Sequence, residues 1–151
     1  MLIYLARHGE AGRAANDDDR PLTASGIATT RLVYSQLADH IEEPLAVIVS
    51  SPLLRARQTA EIALELLPTS ATELLICPEL RPESTPEAIA QLLDAQLAWP
   101  VLLVGHQPIM GNLLSWLTGH LHFRHEGATS SLYALDLITP ARGCGEVLWH
   151  S

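Results

Sequence analysis

The sequence contains no lysine, and its nine basic residues are all arginine. They stand against 17 acidic residues, which gives a formal net charge of −8. A surface that binds a nucleic-acid backbone needs a stripe of positive charge, and this composition does not supply one. We therefore expect no nucleic-acid partner. The few arginines are worth locating individually, because a planar guanidinium grips a phosphate or carboxylate at two points.

Long apolar runs and paired cysteines are also missing. No apolar stretch approaches the roughly 20 residues of a membrane-spanning helix, and the first residues lack the basic start of a signal peptide. Cys77 and Cys144 do not have the spacing of a metal site, so we expect free thiols in a reducing compartment. These absences favour a cytoplasmic protein with no membrane partner.

The length and the apolar content predict one domain. The chain has 151 residues, of which 48% are apolar, and no repeat or long linker divides it. That is enough for one hydrophobic core. We expect a single domain over residues 1–151, present as a monomer.

Apolar runs and helical patterns alternate along the chain. Continuous apolar runs predict buried strands, and apolar residues recurring every three to four positions predict helices. The predicted strands are Leu2–Ala6, Leu45–Val49, Leu74–Cys77, Val101–Val104, Leu132–Leu137 and Glu146–Trp149. The predicted helices are 24–42, Leu53–Leu67, 86–97 and Pro108–Thr118. Continuous apolar strands between helices are typical of a mostly parallel sheet covered on both faces, so we predict an α/β three-layer sandwich.

Histidine and arginine follow three of the predicted strands, at the point where each strand ends. The first strand runs into Arg7-His8-Gly9-Glu10. The second is followed by Ser50-Ser51-Pro52, with Arg55 and Arg57 soon after, and the strand Val101–Val104 is followed by Gly105-His106-Gln107-Pro108. Ligands of open α/β sheets bind at the carboxyl ends of the strands. We therefore expect two histidines and at least two arginines to converge at one edge of the sheet.

Phosphoryl transfer is the chemistry that these residue types share. A neutral imidazole is a good nucleophile, and a covalent intermediate divides one difficult displacement into two easier ones. The transferred group carries negative charge, which arginines and helix N-termini can stabilise. The sequence has no phosphate-binding glycine loop of the Walker type and no clustered aspartate pair for magnesium, so a route without metal or cofactor is favoured.

The order of these motifs resembles the histidine phosphatase superfamily, which includes the phosphoglycerate mutases. Within it the chain is most similar to the small SixA-type phosphohistidine phosphatases. The matching blocks are Arg7-His8-Gly9-Glu10-Ala11, Arg20-Pro21-Leu22-Thr23, Ser51-Pro52 with Arg55, Pro78-Glu79-Leu80, and Gly105-His106-Gln107-Pro108. The resemblance implies a phosphoglycerate mutase-like fold without the large helical insert that covers the site in other members.

The resemblance also implies roles for individual residues. His8 would accept the phosphoryl group, and Arg7, Arg55 and His106 would complete the phosphate pocket. Glu79 is the closest match to the general acid of larger members.

Further positions are less sharply defined. Asp18 is the second candidate for the acid, and it and Arg20 would line the mouth of the site and contact substrate. Otherwise the run of three aspartates that contains Asp18 is expected to be a solvated loop. For Arg57 a solvated or ion-paired role is favoured, and for Glu10 a capping role or a hydrogen bond to local backbone.

The expected function is a metal-independent phosphatase that works through a phosphohistidine enzyme intermediate. Its expected substrate is protein phosphohistidine, on a histidine phosphotransfer domain of a signalling phosphorelay. The alternatives are a small-molecule phosphatase or mutase acting on sugar phosphates or nucleotides, and a non-enzymatic phosphoprotein-binding module. His120, His122 and His125 suggest a metal site, but no convincing further ligands accompany them apart from Glu126, and a polar loop is favoured.

Overall fold

Six strands form one sheet in the computed structural model, which describes residues 1–95, 97–120 and 128–151. The strands are β1 (Leu2–Arg7), β2 (Val47–Ser50), β3 (Leu74–Ile76), β4 (Val101–Gly105), β5 (Leu132–Leu137) and β6 (Gly145–His150). Their order across the sheet is β3-β2-β4-β1-β5-β6. The neighbours from β3 to β1 are parallel, whereas β5 and β6 are added antiparallel.

Four helices of the described chain cover the two faces of this sheet. They are α1 (Ala24–Leu37), α2 (Leu54–Leu66), α3 (Pro86–Asp94) and α4 (Ile109–Thr118). Successive side chains of a strand point to opposite faces. On β1, Tyr4 and Ala6 pack into the core with α1 and α2, while Ile3 and Leu5 pack with α3 and α4. The predicted α/β three-layer sandwich is therefore confirmed, because continuous apolar strands supply both cores.

The helices begin and end where the local sequence provides caps. The hydroxyl of Thr23 accepts a hydrogen bond from the Gly26 amide at the start of α1, and Thr85 does the same for Ala88 at the start of α3. Such caps satisfy amides that have no partner inside the helix. Helix α4 ends at Gly119, whose φ of 72° is the left-handed conformation that glycine adopts readily.

The element boundaries differ from the prediction mainly at three helix or strand ends. Helix α1 ends at Leu37 and is followed by a 3₁₀ turn. Ile41 lies outside the helix but is buried. Its burial explains why the apolar pattern predicted a longer helix. Helix α3 ends at Asp94 rather than at residue 97. Leu45 is not part of β2, because its backbone bonds with Pro68 and Ser70 after α2.

The strand register determines what meets at the carboxyl edge of the sheet. Arg7 at the end of β1 lies opposite Gly105 at the end of β4, and Ser50 of β2 lies opposite Val104. The residues that immediately follow these strands therefore emerge side by side. No helix in the described part of the chain is long and apolar enough to cross a membrane.

Candidate active site

His8 and His106 lie next to each other at this edge, with ring centroids 5.0 Å apart. The His8 amide donates to the carbonyl of Gly105 at 3.0 Å, which ties the residue after β1 to the end of β4. The Ser51 amide donates to Val104 in the same way, also at 3.0 Å. The parallel pairing thus continues one residue beyond each strand. It brings the two histidines and Ser51 into one cluster. The sequence analysis predicted this meeting for the two histidines, from their positions at the strand ends.

A backbone hydrogen bond selects the tautomer of His8. Its Nδ1 lies 2.6 Å from the carbonyl oxygen of Gly9, and because a carbonyl only accepts, Nδ1 must carry the proton. In the neutral ring the lone pair is then on Nε2. Burial and the nearby charges of Arg55 and Arg7 lower the pKa of His8 to about 4. The ring is therefore neutral near pH 7, with a nucleophilic Nε2.

His106 is more deeply buried, with 1% of its surface exposed. Its Nε2 lies 2.7 Å from the hydroxyl oxygen of Ser51, and its Nδ1 has no hydrogen-bond partner among the described residues. Burial, followed by the proximity of His8 and Arg55, lowers the pKa of His106 to about 3. Both rings of the pair are neutral near pH 7 in this state.

Arg55 brings a guanidinium to the nucleophile from the first turn of α2. Only 5% of its surface is exposed, and its Nε points to the Nε2 of His8 at 3.4 Å. Its Nη1 donates to the backbone oxygen of Asp17 at 2.8 Å, and its Nη2 to the carboxylate Oδ2 of Asp17 at 3.1 Å. Arg7 at the end of β1 is half-buried, and its charge acts on His8.

The loop between β1 and α1 closes over Arg55 through a short 3₁₀ turn, Asp17–Asp19. Arg20 steadies this turn by donating from Nη1 to the Asp17 carboxylate at 3.1 Å and from Nε to the carbonyl of Gly12 at 2.7 Å. The hydrogen bonds from Arg20 and Arg55 lower the pKa of Asp17, which is therefore an anion near pH 7. Asp18 pairs with Arg81, across the mouth of the site, at 2.5 Å.

These contacts correct the expectation that the aspartate run is only a solvated loop. Two of its three carboxylates are ion-paired to arginines from other segments of the chain. Asp18, the second candidate for the acid, is held by Arg81. Arg20 makes loop contacts, whereas its predicted contact with substrate stays a prediction.

Glu79 lies on a 3₁₀ turn that follows β3, at the same edge of the sheet. Among the described residues no hydrogen bond or ion pair joins its carboxylate to His8, His106 or Arg55, so its role as acid stays a prediction.

Arg57 and Glu10 form no hydrogen bond or ion pair with this cluster among the described residues. Arg57 is exposed on α2. The carboxylate of Glu10 accepts a hydrogen bond at 2.6 Å from the hydroxyl of Thr23, the residue that caps α1, so it acts at the helix cap and not on local backbone. His122, His125 and Glu126 lie outside the described residues, and the residues that are described contain no group of side chains suited to hold a metal ion.

Sequence reasoning gave no individual role to three contributors to the site: Asp17, Ser51 and Arg81. Each acts through a partner that is distant in the sequence, and an aspartate run or a serine before proline has no periodicity that would indicate such a partner. The one signal that the sequence offered was their position, because all three lie within or beside the sequence blocks that match the family.

Comparison with known proteins agrees with this arrangement. A family model described as the histidine phosphatase superfamily (branch 1) matches residues 3–82. An uncharacterized protein of Picosynechococcus sp. is 43% identical over 164 aligned positions, which cover all of this chain and 91% of that protein. Phosphohistidine phosphatase SixA of Escherichia coli is 36% identical over 127 positions, covering 78% of this chain and 74% of SixA.

A solved structure extends the likeness to the whole fold. The protein histidine phosphatase SixA complexed with tungstate is 27% identical and superposes with a TM-score of 0.81, covering 99% of this chain and 96% of the other. The family model spans more than half of the chain, and the matched region carries His8 and Arg55. The chain belongs to the histidine phosphatase superfamily and is similar within it to the SixA phosphohistidine phosphatases.

Proposed function

We propose that the protein is a phosphatase that removes the phosphoryl group from phosphohistidine on a partner protein. The observation that carries the proposal is the state of His8, whose Nδ1 is tied to Gly9 while its Nε2 faces Arg55. A neutral imidazole held in this tautomer is ready to attack phosphorus. A phosphoprotein-binding module would have no need of such a nucleophile.

The reaction proceeds in two displacements. In the first, the Nε2 lone pair of His8 forms a bond to phosphorus while the bond from phosphorus to the substrate nitrogen breaks. The substrate ring, protonated on its other nitrogen, keeps the electron pair of the broken bond and leaves as a neutral imidazole. In the second, water attacks phosphorus, the bond to Nε2 breaks, and inorganic phosphate leaves with His8 restored. Arg7, Arg55 and the N-terminus of α2 stabilise the negative charge on the transferred group, without a metal ion.

The charge state of the mouth favours phosphohistidine over phosphate esters. A sugar alkoxide is a poor leaving group unless an acid protonates it, whereas an imidazole, whose ring has a pKa near 6.5, leaves far more readily. Asp17 is held as an anion by two arginines, and Asp18 is ion-paired to Arg81. Glu79 is left as the proposed acid. A site with a single candidate acid suits the better leaving group.

The form of the chain around the site also supports a protein substrate. Between α2 and β4 the described residues contain only β3, a 3₁₀ turn and α3. This stretch contains no long helical insert of the kind that encloses small phosphates in larger relatives of this family. A shallow site of this form would admit a phosphorylated side chain presented by another protein domain.

A substrate panel with matched variants tests the proposal. The substrates are a phosphohistidine-bearing histidine phosphotransfer domain, phosphoglycerate, a sugar phosphate and para-nitrophenyl phosphate, each with and without EDTA. We expect the phosphoprotein to have the highest kcat/KM, no effect of EDTA, and a loss of at least about 100-fold in His8→Ala. Exposed Arg57→Ala serves as the control and should keep full activity.

Other results would contradict the proposal in identifiable ways. If His8→Ala retains a tenth of the wild-type rate, His8 is not the nucleophile. A higher kcat/KM for phosphoglycerate than for the phosphoprotein would favour a small-molecule phosphatase. Glu79→Gln should lower the rate of hydrolysis of the sugar phosphate much more than that of the phosphoprotein. Equal losses of rate on the two substrates would exclude Glu79 as the acid that protonates the leaving group.

A further inference from the structure

The guanidinium of Arg55 has two edges, and the structure assigns them different partners. Arginine presents its N–H donors as a rigid planar fork, in which Nη1 and Nη2 form one edge and Nε and Nη2 form the other. The first edge is held by Asp17, through its backbone oxygen at 2.8 Å and its carboxylate at 3.1 Å. The second edge is turned to the Nε2 of His8, 3.4 Å from Nε.

We propose that Asp17 is a positioning residue, which orients Arg55 so that its Nε and Nη2 edge receives the phosphoryl group beside His8. This inference rests on the proposed function of the site. A phosphoryl group at Nε2 of His8 would meet two parallel N–H donors on that edge, the arrangement in which arginine grips phosphate best. Without the Asp17 carboxylate, the terminal nitrogens of Arg55 keep only the backbone oxygen of Asp17 as a hydrogen-bond acceptor among the described residues, and Nη2 has none.

The surroundings of Asp17 suit an orienting role rather than a role in stability. Its side chain is 60% exposed, so the carboxylate lies at the surface and outside the packed core. Arg55 in contrast is buried, so its orientation depends on the partner that reaches in from the loop. Arg20 holds the other carboxylate oxygen of Asp17 at 3.1 Å, which restrains the carboxylate itself.

A double-mutant cycle tests whether Asp17 acts through Arg55. We expect Asp17→Ala and Asp17→Asn to lower kcat about 10- to 100-fold with little change in KM, since displacement of a group by about 1 Å has costs of this order. In an Arg55→Ala background, Asp17→Ala should change kcat/KM less than twofold, because the group that it orients is gone. Asp17→Glu, which keeps the carboxylate, should recover part of the rate.

Asp19→Asn is the matched control. Asp19 is exposed in the same 3₁₀ turn, and its carboxylate makes no hydrogen bond or ion pair among the described residues. This variant should keep the wild-type kcat, and the melting temperatures of the Asp17 and Asp19 variants should agree. Assays use the phosphoprotein and para-nitrophenyl phosphate, so that a wrong substrate class does not hide the effect.

Three outcomes would overturn the inference. Additive losses in the cycle would mean that Asp17 contacts the substrate directly. Unchanged kcat in Asp17→Asn and Asp17→Ala would mean that Arg55 needs no orienting partner. A rise in kcat/KM in Asp17→Ala would show that the carboxylate competes with phosphate for Arg55. In each case, loss of activity in His8→Ala would still stand as separate support for the proposed function.

Discussion

Each of the two histidines of the site has one short hydrogen bond to a ring nitrogen, and Nε2 of His8 has in addition the longer contact with Arg55. Nδ1 of His8 is held by a backbone carbonyl and Nε2 of His106 by the Ser51 hydroxyl. Burial keeps both rings neutral, but only His8 has its tautomer dictated, because a carbonyl accepts and a hydroxyl can either donate or accept. The difference agrees with the proposed roles, in which His8 needs a free lone pair and His106 contributes to the pocket around it.

Replacement of Ser51 should therefore impair His106, and it also removes the hydroxyl that accepts from the Leu53 amide at 3.3 Å. Ser51 is fully buried, and Ser51→Ala would leave Nε2 of His106 without its partner. We expect a loss of about 1–3 kcal/mol in the free energy of unfolding and a fall in kcat of roughly tenfold. Urea unfolding and steady-state kinetics measure the two effects.

Ser50→Ala provides the control for that prediction. Ser50 is also fully buried, but its hydroxyl donates to the backbone oxygen of Ser51 and not to a histidine. Ser50→Ala should lower the free energy of unfolding without lowering kcat. If both variants lose the same fraction of kcat, the bond to His106 has no part in the activity.

Among the elements, the start of α1 lies unusually close to the segment that leaves β1. A Cβ added at Gly26 would stand only 2.2 Å from the backbone oxygen of Glu10. The Thr23 amide donates to the same oxygen at 2.9 Å, so the helix start and the chain after His8 form one joint. The first turn of α1 thus helps to hold the segment that follows His8, and only glycine permits that approach.

Gly26→Ala tests this joint. Because the clash is with backbone, relief requires α1 and the segment after His8 to move apart, and we expect a loss of about 1–3 kcal/mol or more in the free energy of unfolding. The same movement should lower kcat several-fold. Ser25→Ala, at the exposed neighbouring position in the helix, should change neither quantity. A fully stable Gly26→Ala protein would show that the contact is not restrictive.

At the scale of the whole molecule, the buried histidines link stability to pH. An unfolded chain protonates its histidines near pH 6.5, whereas His8 and His106 resist protonation until about pH 4 and about pH 3 in the native state. Between those values the unfolded state binds more protons than the native state. The free energy of unfolding must therefore fall as the pH falls from about 6.5 to 4.

Comparison of wild type with His8→Asn isolates this effect, because the carboxylates are common to both chains. Near pH 5 the slope of the free energy of unfolding against pH should be smaller in the variant by about 1 kcal/mol per pH unit, which corresponds to roughly one proton. Urea titrations at half-unit intervals from pH 4 to 7 measure it. Parallel curves for the two proteins would mean that His8 is protonated as readily in the native state as in the unfolded chain.

Much of the architecture follows from local sequence pattern. Continuous apolar strands must be covered on both faces of the sheet, and parallel strands have their carboxyl ends at one edge. The meeting of His8, Arg55 and His106 could be inferred from these two facts. The bond between His8 and Gly9 is equally local. The motifs also sufficed to indicate the family, because five ordered blocks match it.

Tertiary structure decided the contacts that orient the reacting groups. Asp17 reaches Arg55 across 38 residues, Ser51 reaches His106 across 55, and Asp18 reaches Arg81 across 63. A charged or hydroxyl side chain at the surface of a loop can find any of several partners, and no periodicity records which one it finds. The choice depends on how loops of particular lengths pack against the sheet edge, so it exists only once the strands have been placed.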